Sequence, residues 1–135
     1  MVLYYSYSGN CKRFAEAFAA AGSCVVIEIQ TEKPLSKTYA YAVGCAKAIS
    51  GKPIAIKPLN VCISDTLDVF APIWAGHIAP PITAALKALP KGTGIKLHCV
   101  SLSGESNRDL ISKRIAVLGL ELLSYEDIKS GGAKQ

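Results

Sequence analysis

No stretch of this sequence reaches the eighteen or so consecutive apolar residues that a membrane-spanning helix needs. Its start, Met1-Val2-Leu3-Tyr4, also lacks the basic region and cleavage site of a secretory signal, and a soluble, cytoplasmic protein with no membrane partner is expected. Short metal-ligand spacings are missing too. Cys11, Cys24, Cys45, Cys62 and Cys99 are an odd number lying 13 to 37 residues apart, so no metal site is expected. Most of them stand in apolar contexts such as Cys24-Val25-Val26, where a thiol serves as a small core side chain in a reducing compartment. Acid is absent from Lys33 to Ser64, which holds Lys33, Lys37, Lys47, Lys52 and Lys57, while the rest of the chain carries ten basic and ten acidic residues. The whole net charge of +5 therefore belongs to one segment. Arginine is missing from it and its aromatics are only Tyr39 and Tyr41, which argues against nucleic acid and for a solvated basic face that an acidic partner can dock on.

Half of the 135 residues are apolar, enough for the core of a single domain spanning residues 1–135. They recur in short blocks punctuated by Gly, Pro, Ser and Asn, the pattern of buried strands alternating with helices. Strands are predicted over Met1–Ser6, Cys24–Gln30, Thr66–Ile73, Ile95–Leu102 and Leu120–Tyr125. Helices are predicted over Asn10–Ala21, with Phe14, Ala17, Phe18 and Ala21 as its apolar face, and over Thr38–Ile49, Ala79–Leu89 and Asn107–Leu118. Pro80 and Pro81 suit a first helical turn. The polar, Gly-rich Glu126–Gln135 predicts no final helix, or a very short one. This alternation argues for an α/β fold, an open parallel sheet with helices on both faces, whose ligands bind at the carboxyl ends of the strands.

Three loops leave those ends. Ser6-Tyr7-Ser8-Gly9-Asn10-Cys11 joins an apolar strand to a helix start, where unpaired backbone N–H groups and the positive end of the helix dipole stabilise an anion such as phosphate. Ser6, Ser8 and Asn10 can add side-chain donors, although a Ser/Gly/Asn turn before a helix also serves simply as a cap. Pro72-Ile73-Trp74-Ala75-Gly76-His77-Ile78-Ala79 puts the only tryptophan beside a proline-stiffened helix, as an aromatic plate at the ligand edge or as a core plug. Ser101-Leu102-Ser103-Gly104-Glu105-Ser106-Asn107 offers small donors and a glycine for close backbone approach, or a capped helix start. No Lys-Ser/Thr pair at Walker spacing supports a nucleoside triphosphatase. Asp68 interrupts an apolar central strand and needs a partner or a place near the sheet's end. His77 is expected at the surface or in a hydrogen bond, and His98 in the core. No catalytic residue stands out.

A phosphate cradle, an aromatic plate and a small polar loop together describe a flavin mononucleotide (FMN) site, and here the chain resembles the flavodoxin family. Ser6, Ser8, Gly9 and Asn10 match its first-loop pattern, and Pro72-x-Trp74-x-Gly76 is similar to the loop that stacks an aromatic ring on the flavin. The resemblance covers nearly the whole chain and implies a flavodoxin-like five-stranded sheet of order 2-1-3-4-5, noncovalent FMN, and single-electron transfer between redox partner proteins. It implies that Ser6 to Cys11 hold the phosphate, while Pro72 to His77, Ser101 to Gly104, and Asn107 contact the ring. Gly76 is the residue expected to let a peptide turn toward the flavin. Cys11 departs from the family's threonine, removing a hydroxyl worth on the order of 1 kcal/mol. The chain is also basic where family members are commonly acidic. An NAD(P)H-dependent FMN quinone or nitro reductase, and a flavin-free binding module, are the alternative functions.

Overall fold

Apolar blocks too short to be helices assemble, in a computed structural model that describes residues 1–59 and 66–130, into a single open sheet. Its strands are β1 (Val2–Tyr4), β2 (Val26–Glu28), β3 (Thr66–Trp74), β4 (His77–Ile78), β5 (Gly94–Ser101) and β6 (Glu121–Lys129). The order is β2-β1-β3-β5-β6, parallel throughout, with the two-residue β4 folded back antiparallel on β3. With β4 set aside, this is the flavodoxin-like order 2-1-3-4-5. The helices are α1 (Asn10–Gly22), α4 (Pro80–Lys87) and α5 (Arg108–Val117), together with a continuous helical run made of α2 (Lys37–Tyr39), a π-turn (Ala40–Gly44) and α3 (Cys45–Ser50). Cys62 and the final five residues lie outside the described residues. Among the described residues no helix is long and apolar enough to cross a membrane.

Strand alternation sorts the core into two layers. Leu3, Leu67, Val69, Ala71, Ile95 and Leu97 face α4 and α5, which contribute Ile82, Ala85, Leu86, Ile111 and Ile115. Val2, Tyr4, Phe70 and Val100 face α1. The inward stripe of α1 differs from the predicted one. Cys11, Ala15 and Ala19 are buried, whereas Ala17 and Ala21 are exposed. Small residues four apart let the helix lie close on the sheet, and its phenylalanines flank that contact. Phe18, 40% exposed, lies over Phe70 and the His98 ring, at centroid distances of 5.5 and 5.3 Å.

The second correction concerns the last strand, which runs to Lys129 rather than ending at Tyr125. A register shift between Ile95 and Lys96, opposite Leu122–Ser124, breaks the two-residue period by which strands are read from sequence. Its polar residues are tolerated because it is an edge strand, and charge there discourages pairing with another chain. No helix follows β6 among the described residues. On the α1 side of the sheet, at the margin of that helix's cover, Asp68 pairs in register with Lys96, and Phe70 with His98, itself paired with Glu126. His98 Nε2 lies 3.0 Å from Asp68 Oδ1, and its Nδ1 lies 2.7 Å from Glu126 Oε2. The ring stacks on Phe70 at 4.3 Å. Asp68 thus has its partner, and the predicted core histidine is buried but held between two carboxylates. A ladder of polar side chains joined through His98 occupies the part of the sheet that a final helix would otherwise dry.

Candidate functional site

The carboxyl ends of β1, β3 and β5 open on one rim, as parallel strands require. After β1 the chain turns through Ser6 to Gly9, where the Gly9 N–H donates to Ser6 Oγ (3.0 Å) and Gly9 adopts a φ of +99°. That left-handed conformation is cheap for glycine, and nothing lies within 4 Å of where a Cβ would stand. Helix α1 starts with no side-chain cap and no acid in its first turn, and its first backbone bond within the helix is Arg13 N–H to Gly9 O. The N–H groups of Asn10, Cys11 and Lys12 are therefore the orphan donors of a helix start, with Lys12 and Arg13 adding positive charge. The plain capping alternative is weakened here, since Ser6 serves Gly9 and no side chain serves the helix. A cavity of about 110 Å³ sits at this point, lined by Ser6, Tyr7, Ser8, Asn10, Cys11, Pro72, Ile73, Trp74, Ser101 and Leu102, together with Val100 and Ser130.

Cys11 closes the floor of this cavity from the core side. It is 2% exposed, and burial pushes its thiol well above the ordinary range, with Cys99 adding to the shift. It is a neutral apolar group, so it places no charge beside an anion bound at the helix start.

The second loop is shorter than expected, because β3 continues to Trp74 and pairs with β4 through Ile73–Ile78 and Trp74–His77. Only Ala75 and Gly76 turn, both at positive φ (52° and 85°), as a two-residue hairpin following the right-handed strand twist requires. Ala75 bears the strain that a side chain suffers there. The Gly76 carbonyl accepts from Asn107 N–H at 2.7 Å, tying this hairpin to the start of α5. Trp74 is half-buried, with Tyr5 and Tyr7 edge-on to it at 6.2 and 5.8 Å. Its six-membered ring leans on Gly44 in the π-turn, a backbone irregularity frequent beside functional sites. His77 corrects the expectation of a surface or hydrogen-bonded residue. Strand pairing takes it to 7% exposure with Nδ1 unpartnered among the described residues, and burial, then the charge of Arg114, lowers its pKa below the usual histidine value.

A wider, more open cleft of about 510 Å³ continues along the rim, lined by Ile73, Gly76, Ser101, Leu102, Ser103, Glu105 and Ser106. It shares Ile73, Ser101 and Leu102 with the smaller cavity, so the two adjoin. Within the third loop Ser101 Oγ accepts from Gly104 N–H and Ser103 Oγ from Glu105 N–H, which shapes the turn. Ser106 donates to Asp127 and bonds Tyr125, anchoring the loop to β6. Below it, burial pushes the Cys99 thiol up to about 12.

Twelve of the seventeen residues expected at the site line one or both cavities. The other five stand behind them. Gly9 sets the helix start and Ala75 the hairpin turn. His77 lies buried beneath that turn, Gly104 packs on Lys129, and Asn107 caps α5 by accepting from Leu110 N–H. Glu105 and Ser106, of the predicted third loop, also line the rim, whereas Val100 and Ser130 do so without having been expected there. Ser130 in particular had no signal in sequence, since only the extension of β6 brings its N–H onto the Ser101 carbonyl.

No protein-family model matches the chain, and no curated protein matches it. Solved structures do. A protein assigned as a flavoprotein from Bacteroides eggerthii superposes with a TM-score of 0.75 at 20% identity, covering 93% of this chain and 84% of its own. A flavoprotein from Lactobacillus acidophilus, solved in complex with FMN, gives 0.69 at 19%, covering 92% and 89%. One assigned likewise from Bacteroides uniformis gives 0.71 at 19%, covering 93% and 87%. At these identities the likeness establishes the fold, which is flavodoxin-like.

Proposed function

We propose that this protein binds FMN along the rim and carries single electrons between partner proteins in the cytoplasm. The observation that carries the reading is the acid-free, uncapped start of α1, opening onto a small cavity that adjoins a wider cleft. The small cavity suits a phosphate and the cleft a flat ring. The FMN complex of the Lactobacillus acidophilus flavoprotein, a protein of the same fold, supports it.

When bound, FMN supplies the one-electron chemistry. The chain's own residues would bind and orient it: the N–H groups of Asn10 to Lys12 and the hydroxyls of Ser6 and Ser8 hold the phosphate. Leu102, which lines both cavities, and Ser103 and Glu105 of the cleft would border the ring, with Trp74 on the small-cavity side. Gly76 is the residue whose peptide can turn, at the expense of its bond from Asn107 N–H. Lys33, Lys37, Lys52 and Lys57, all exposed and from the one acid-free segment, would offer basic contacts to an acidic partner.

An absorbance-monitored FMN titration followed by stepwise reduction tests the reading. One equivalent of FMN bound, with two resolved one-electron steps, is expected, and Gly76→Ala should shift both steps. A protein that stays colourless after FMN addition would refute cofactor binding, and steady NADH or NADPH turnover by the purified holoprotein would refute the carrier role.

A further inference from the structure

Between α4 and α5, away from the rim, lies a cavity of about 430 Å³ that the flavin reading does not use. Helix α4 gives it Thr83, Leu86 and Lys87, and α5 gives it Leu110, Lys113 and Leu118, each set following helical spacing along one stripe. Arg114 lines it as well, donating to the carbonyls of Ala48 and Ile49 at the end of α3 and lying against Gly51. Gly51 leaves just that space, since a Cβ there would stand 3.0 Å from the guanidinium carbon. Lys87 and Lys113, one from each helix, are both exposed and neither pairs with a carboxylate among the described residues. No residue lining the cavity is acidic.

We propose that this cavity binds an alkyl carboxylate, its chain between α4 and α5 and its anionic head between Lys87 and Lys113. The volume falls within the roughly 300–1,000 Å³ of small-molecule sites. Charge decides the class of ligand: apolar walls alone would accept any chain, but two unpaired ammonium groups over an acid-free mouth favour an anionic end and oppose a cationic one. The partial negative charge at the nearby end of α3 is offset by the Arg114 guanidinium, which donates to the Ala48 and Ile49 carbonyls. Val117, 86% exposed, extends the apolar wall out to the mouth.

The test uses the whole chain with decanoate, below its micelle concentration, displacing the fluorescent sulfonate 8-anilinonaphthalene-1-sulfonate. Decanoate should displace the dye at least tenfold better than decyltrimethylammonium or decanol, and Lys87→Glu/Lys113→Glu should weaken decanoate at least tenfold with FMN binding unchanged. Methyl resonances of Leu110, Ile115 and Leu118 should shift, and those of Ile73 and Leu102 at the rim should not. Equal competition by the ammonium or the alcohol, an unaltered double variant, shifts confined to the rim, or no displacement would each overturn the proposal. Should the double variant fold poorly, Val117→Glu, at an exposed position, should weaken decanoate by itself.

Discussion

Gly44→Ala sets two known effects of opposite sign against each other at a single methyl group. Gly44 has ordinary helical angles (φ −62°, ψ −45°), so alanine there should stabilise the helix by about 0.8–1.0 kcal/mol on propensity alone. Its Cβ, however, would stand 2.8 Å from Trp74 Cζ3 and 3.2 Å from Cε3. Carbon atoms in contact prefer roughly 3.5–4.0 Å, and overpacking of this kind costs about 1–3 kcal/mol. Tyr5 and Tyr7 stand edge-on to the indole, which limits how far it can slide. The expected net result is a loss of about 0–2 kcal/mol, from those two ranges, with Trp74 displaced. Urea unfolding followed by circular dichroism gives the first quantity. Emission gives the second without ambiguity, because the chain has one tryptophan. FMN affinity should fall with the displacement, since Trp74 lines the small cavity. Ala42→Gly, at an exposed position of the same π-turn, is the control: it should cost about 1 kcal/mol by propensity and leave emission unchanged. An alanine variant at Gly44 that is about 1 kcal/mol more stable, with native emission, would refute the packing argument.

Further outcomes follow from the same geometry. Lys12→Glu puts an acid into the first turn of α1 and should weaken FMN by about 0.3–2 kcal/mol, read as a Kd that rises less at high salt. His77 has a lowered folded pKa, so the unfolded chain binds its proton more readily. Its contribution is therefore fully present above the unfolded value near 6.5 and is lost as pH falls toward the lower folded value. His77→Leu should flatten the fall of denaturation midpoints as pH drops below about 6.5 and should not lower neutral stability, since it removes an unpartnered buried nitrogen. Asp68→Ala should cost on the order of 1–3 kcal/mol in urea denaturation, and Glu126→Ala less, because the Asp68 side chain is 15% exposed and that of Glu126 57%. Equal losses would show that burial does not set the worth of these two bonds.

Local chemistry carried much of the architecture. Alternating apolar blocks with Gly and Pro between them marked all five parallel strands, and the prolines at the start of α4 located its first turn, because each of these signals acts over a few residues. The loop from Ser6 to Cys11 could be read as an anion site for the same reason: a strand, a glycine turn and a helix start are neighbours in the chain. What depends on phase or on distant neighbours was not legible. The inward face of α1 was misjudged because large phenylalanines outweigh small alanines in any hydrophobic count, while close packing on a sheet selects the small ones. The extent of β6 was hidden by a register shift, which only the pairing partner reveals. Asp68, His98 and Glu126 lie on three strands, and Trp74 meets Gly44 across thirty residues of chain. Sequence alone therefore determined the order of elements. Only tertiary structure decided which side chains meet, because sheet register and helix phase are set by contacts between segments far apart in the chain.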